Sequence, residues 1–125
     1  MNENKIRVAV VDDDESFARA IGRLLRATGF GTAVYPSAEA FLQASAEPVH
    51  CLVLDIELGG MSGLDLGRRL VEMGAKIPVV FVTARNEPES SQAAREIGGQ
   101  ACLHKPVSGE LLVGAIRRAV SPPHK

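Results

Sequence analysis

Short, almost uninterrupted apolar runs recur along the chain, and each is followed by a longer stretch with apolar residues at helical spacing. Ile6–Val11, Val49–Asp55 and Ile77–Val82 are apolar at nearly every position, the signature of strands covered on both faces. Gly31–Tyr35 is shorter and more polar and suits a sheet edge, and Ala101–His104 reads as the last strand. Between them the pattern predicts helices. The first runs from Glu15 to Ala27, with Phe17, Ile21, Leu24 and Leu25 on one stripe and Gly29 beyond its end. Ser37 caps a short helix through Ala44, and Leu64–Met73 is a third that stops at Gly74. A fourth starts at Pro88, because proline tolerates the first helical turn, and ends at Ile97 before Gly98 and Gly99. Ser108 caps the last, which reaches Val120; Ser121-Pro122-Pro123-His124-Lys125 cannot extend it.

Strand then helix, five times over with short connections, predicts an α/β fold on a parallel sheet. All strand C-termini of such a sheet lie on one edge, and that edge is where open α/β sheets bind ligands. Polar groups follow the buried strands in this chain: Asp12, Asp13 and Asp14 after Val11, Asp55 after Leu54, Thr83 and Ala84 after Val82, Lys105 and Pro106 after His104. The expected crevice therefore holds a carboxylate cluster, a hydroxyl and an ammonium. Clustered carboxylates repel one another unless a proton or a cation intervenes. An all-oxygen set without nearby His or Cys favours magnesium or manganese over zinc.

These residues together resemble the receiver domain of two-component response regulators, near the branch that regulates nitrogen fixation in rhizobia. The likeness runs from about Ile6 to Val120 and includes Asp55-Ile56-Glu57-Leu58-Gly59-Gly60-Met61-Ser62-Gly63, similar to the family's D-x-x-[LM]-P-x-M-x-G. It implies a flavodoxin-like, doubly wound (βα)5 three-layer sandwich with parallel strand order 2-1-3-4-5, an order that periodicity alone does not fix. Residues 1–120 would form the receiver and 121–125 a tail or the start of a linker. The chain would be a stand-alone receiver or part of a longer regulator.

The implied function is a phosphorylation-dependent signalling switch in a phosphorelay. Asp55 would accept a phosphoryl group from a sensor histidine kinase or phosphotransfer protein, with Mg2+ (or Mn2+) present, and the domain would catalyse only its own phosphorylation and dephosphorylation. By the same resemblance Asp13 and Asp55 would ligate the ion directly, Asp12 through water, and the Glu57 backbone carbonyl would complete the protein's share. Lys105 and Thr83 would contact the phosphoryl oxygens, small Ala84 would leave space, and a cis Pro106 would turn Lys105 inward. A homodimer through the fourth helix, last strand and last helix fits the pattern. Asp14, next to the first helix, reads instead as its cap, and His104 as structural; His50 and His124 carry no signal.

Three positions depart from the family. Cys102 stands where an aromatic usually reports phosphorylation, Gly59 replaces the loop proline, and Val107 follows Lys-Pro in place of the frequent Phe. None of the three is expected to touch the phosphoryl chemistry directly. Glu57, two residues after Asp55, and Arg85, two after Thr83, are expected to project over the pocket mouth and to pair as a lid that slows hydrolysis of the aspartyl phosphate.

Composition narrows the alternatives. In 125 residues, 46% are hydrophobic, enough to build one core without disulfides or metals. A net charge of −1 and few aromatics leave no footprint for direct nucleic-acid binding. Cys51 and Cys102, with one strand between theirs, would lie about 9–10 Å apart, beyond disulfide reach of about 7 Å. With no signal peptide and no membrane-length apolar run, both read as buried thiols of a cytoplasmic protein. Two other readings compete with the switch. An aspartyl-phosphate-forming hydrolase would use Glu57 as its acid-base, and a non-phosphorylated interaction module would use none of the acidic groups. Neither nucleotide-binding glycine motif occurs.

Overall fold

The computed structural model describes residues 5–44 and 48–121. Five parallel strands, β1 (Arg7–Val11), β2 (Gly31–Tyr35), β3 (Cys51–Asp55), β4 (Val79–Thr83) and β5 (Ala101–His104), form one sheet in the order β2-β1-β3-β4-β5. Between and after them lie α1 (Glu15–Thr28), α2 (Ala38–Gln43), α3 (Gly63–Glu72), α4 (Pro88–Glu96) and α5 (Gly109–Val120). This is the expected doubly wound sandwich, and its order places β1 beside β3 at the switch point.

Alternate residues of the central strands feed two cores. Val8, Val10, Cys51, Val53, Val80 and Val82 face α1 and α5 and meet Ile21, Leu25, Leu112 and Ile116. Ala9, Val11, Leu52, Leu54 and Phe81 face the other way, onto Ala38, Leu66, Leu70 and Ala94. Period-two alternation thus supplies both layers from the same strands.

Helix ends follow local chemistry. Asp14 caps α1 by accepting the Phe17 N–H at 3.2 Å, as expected, and Gly29 closes the helix in the left-handed region at φ 108°. Ser37, Ser62 and Ser108 cap α2, α3 and α5. Gly63 is required by close approach: a Cβ there would strike the Asp55 carbonyl oxygen, and its N–H donates to Ile56 O at 3.0 Å. The 56–62 loop is thereby folded tightly over the end of β3.

Several boundaries differ from the pattern-based reading. β1 starts at Arg7, one residue late, and β3 begins at Cys51 rather than Val49. β4 begins after Pro78, which has no N–H to give a ladder, and includes Thr83 as its last residue. α1 gains Thr28, α2 stops at Gln43, α3 runs Gly63–Glu72, and α4 ends at Glu96 with Ile97 as its C-cap. Cys51 is buried, but Cys102 is only partly so, because β5 is an edge strand; both thiols are free, with β4 between their strands. Of the expected tail, only Ser121 lies within the described residues.

Candidate functional site

The register that pairs Val11 with Leu54 and Asp55 with Val82 brings Asp12, Asp55 and Thr83 level at the C-terminal edge. Asp12 is 3% exposed and Asp55 4%, and Thr83 is fully buried. Asp13 is exposed beside them, and one carboxylate oxygen from each of Asp12, Asp13 and Asp55 lies within 4.8 Å of the others.

Lys105 enters from the opposite side. It follows β5, and the Lys105-Pro106 bond is cis, as expected. Its Nζ lies 3.0 Å from Asp12 Oδ2 and 3.4 Å from Asp55 Oδ2, and 4.4 Å above the Phe17 ring. Sequence reasoning placed Phe17 in the core stripe and missed this cation–π contact. Its place in the first turn after the Asp14 cap, next to the acidic run, was the available signal.

The remaining oxygens are unevenly served. Asp12 Oδ1 accepts the Asp14 N–H at 2.8 Å and Asp55 Oδ1 the Glu57 N–H at 3.0 Å. Asp12 Oδ2 is buried and, despite the nearby ammonium, receives no well-directed hydrogen bond. Burial, reinforced by the Asp12 charge, pushes the Asp55 carboxyl up to about 7 against the pull of the Glu57 amide and Lys105. For Lys105, burial pushes the ammonium down, but Asp12 and Asp55 outweigh it and the net direction is up. Converging carboxylates in conflict and an all-oxygen donor set fit a hard divalent cation.

Glu57 does not simply project over the mouth. Its Oε2 accepts the Thr83 hydroxyl at 2.6 Å and its Oε1 the Ala84 N–H at 3.0 Å. Arg85 Nε stands 4.0 Å from Glu57 Oε2, and Arg85 Nη1 stands 3.8 Å from Glu87. The two side chains expected to pair do approach, but Glu57 is turned inward. The Gly59 N–H donates to Asp13 Oδ2 at 3.3 Å, which a proline could not do. Cys102 Sγ accepts the Ser91 hydroxyl at 3.7 Å, joining β5 to α4. His104 is exposed.

Residues 8–117 match the response regulator receiver domain family. The chain belongs to that family. It is 35% identical over 121 residues to the response regulator protein TmoT of Ectopseudomonas mendocina, covering 96% of this chain and 55% of that protein. To nodulation protein W of Bradyrhizobium diazoefficiens it is 34% identical, covering 97% and 54%. The chain thus spans about half the length of these curated relatives. Among solved structures, FixJ-N superposes with a TM-score of 0.88 at 28% identity, covering 98% of both chains. As a receiver, the chain is a module of two-component signalling, and its order 2-1-3-4-5 is that of its structural neighbours. Among the described residues no helix is long and apolar enough to cross a membrane.

Proposed function

We propose that this receiver is a phosphorylation-dependent switch in a cytoplasmic phosphorelay, with Asp55 as the phosphoacceptor. The observation that carries the reading is the convergence of the buried Asp55 carboxylate with Asp12, Asp13 and the Lys105 ammonium. An Asp55 oxygen forms an O–P bond while the P–N bond of a phosphohistidine donor breaks. The electron pair leaves with the imidazole, which takes a proton. The donor is a sensor histidine kinase or phosphotransfer protein.

Asp12, Asp13, Asp55 and the Glu57 carbonyl would hold Mg2+ (or Mn2+), which supplies charge neutralisation at the transferring oxygens when bound. Lys105 contributes a positive charge to the same oxygens, and Thr83 with its neighbour Ala84 offers donors to them. The reaction is confined to this chain's own Asp55, so the domain does not turn over a separate substrate. In the unphosphorylated domain Glu57, which a hydrolase would need as acid-base, accepts from Thr83 and Ala84.

Residues 1–120 form the switching unit, with 121–125 as tail or linker. Output passes through α4, β5 and α5, the face through which two copies would dimerise, and the Ser91–Cys102 contact ties two of those elements together where the family's aromatic is missing. Once phosphorylated, Glu57 and Arg85 form a lid that slows in-line attack by water, so Glu57→Ala or Arg85→Ala speeds phosphate release. Intact mass after incubation with magnesium and a small phosphodonor tests the central reading. One phosphoryl group is gained by the wild type and none by Asp55→Asn; equal gain in both would refute it.

A further inference from the structure

β4 ends in two adjacent donors, the Thr83 hydroxyl and the Ala84 amide N–H. Both are engaged by the two oxygens of a single carboxylate, at 2.6 and 3.0 Å. That carboxylate comes from Glu57, whose own N–H holds Asp55 Oδ1 at 3.0 Å. The backbone of Glu57 therefore fixes the acceptor carboxylate while its side chain fills the donors on the neighbouring strand. A hydroxyl-to-carboxylate bond of 2.6 Å is in the charge-assisted class. Thr83 is fully buried and the Glu57 side chain is 26% exposed, so the contact is partly shielded from water.

We propose that the Glu57 carboxylate is an internal stand-in for the phosphoryl group, holding Thr83 and Ala84 as a bound oxyanion would and leaving when Asp55 is phosphorylated. The inference rests on Asp55 as phosphoacceptor and adds a competitor to that reaction. The incoming phosphoryl oxygens claim the same two donors, and their charge repels the carboxylate. No covalent bond to Glu57 forms or breaks; it exchanges hydrogen bonds only.

A specific relay follows from what surrounds Glu57. Arg85 Nε is already 4.0 Å from Glu57 Oε2, and Arg85 also reaches Glu87 at 3.8 Å. Glu87 is the N-cap residue of α4, whose start has no side-chain cap. A displaced Glu57 carboxylate turns to Arg85 and draws it from Glu87, so the exchange at Thr83 is felt at the first turn of α4. This gives a route to α4 that needs no aromatic on β5.

The test compares wild type, Glu57→Ala and Glu57→Gln, using beryllofluoride with magnesium as the phosphoryl probe and the Ala84 amide NMR signal as the structural readout. Without the probe, the Ala84 proton lies downfield in the wild type and moves upfield in Glu57→Ala. Saturating beryllofluoride brings the two signals together. A site whose competent form is only partly populated shows a proportionally weaker apparent affinity, so Glu57→Ala should bind beryllofluoride about tenfold more tightly. Glu57→Gln, which keeps one acceptor without the charge, should fall between. An Ala84 signal unmoved by Glu57→Ala, or no gain in affinity, overturns the stand-in while leaving Asp55 as acceptor. Failure of the wild type and both variants to bind beryllofluoride at all overturns both.

Discussion

Two helices at the same edge of the sheet are built in opposite ways. α1 has fourteen residues, a side-chain cap from Asp14, a left-handed glycine at its end and Ala18, Ile21, Gly22 and Leu25 buried against the sheet. α4 has nine residues, begins at Pro88 with no side-chain cap, and buries only Ala94. Since helices of this length are held mainly by the face they bury, α1 is a fixed wall and α4 a lightly held one. The difference also sorts their contacts. Phe17 of α1 lies under Lys105 and Asp14 adjoins the acidic run, whereas α4 is linked to the site by the preceding exposed residues Arg85 and Glu87 and to β5 by Ser91 on Cys102. The proposed switch needs one side that holds the chemistry and another that can yield, since mobile elements come from the less stable parts of a fold.

The largest effect should separate the two helices by stability. Leu25→Ala, at a fully buried position, is expected to cost about 2–5 kcal/mol in urea unfolding. Ala94→Gly, at the buried point of α4, should cost about 1 kcal/mol. Similar losses in both would break the contrast.

Next comes charge at the end of β3. The folded Asp55 carboxyl titrates at about 7, above its value in the unfolded chain. Between roughly pH 4 and 7 the folded state then binds more protons than the unfolded one, so stability falls as pH rises. The metal-free domain should be about 1–3 kcal/mol more stable at pH 5 than at pH 8 on this account, allowing for the opposing pull of Lys105. Asp55→Asn should flatten that slope. Urea midpoints at the two pH values, with other titrations cancelled by the variant, check it.

Smaller effects sharpen the contrast at the caps. Asp14→Ala removes a side-chain acceptor and should cost about 1 kcal/mol, while Glu87→Ala should stay within about 0.5 kcal/mol. Smallest in global terms is Ser91→Ala, expected below about 0.5 kcal/mol. Its effect should appear instead as faster amide hydrogen exchange in α4, with α1 unchanged.

Much of this was legible in the chain because buried parallel strands write themselves as apolar runs and their ends as charge. Gly31–Tyr35 and Ala101–His104 were read at their observed bounds, since Gly29, Pro36 and the glycine pair before Gln100 frame them. Pro78, lacking an N–H, stays outside β4 although its carbonyl accepts from Leu52. Strand order came from resemblance rather than periodicity, because alternation records which face is buried and not which neighbour covers it. The candidate cluster Asp12, Asp13, Asp55, Thr83 and Lys105 converges for the simple reason that each residue ends or follows a strand. The inward turn of Glu57 and the Gly59–Asp13 bond were not readable, since both depend on the path of the 56–62 loop. Phe17 announced its place on the core stripe, where it is partly buried, but not the ion above it.

The Lys105 ammonium is held from three directions, by Asp12, Asp55 and the Phe17 ring, on a side chain only 17% exposed. A free lysine side chain would surrender up to about 2 kcal/mol of rotamer entropy on being fixed. Here that loss falls on the folding reaction and is complete before any donor arrives. The binding energy of an incoming anion is then not diminished by ordering its cation, and under the proposed function even a small, weakly held phosphodonor meets a positive charge already in place.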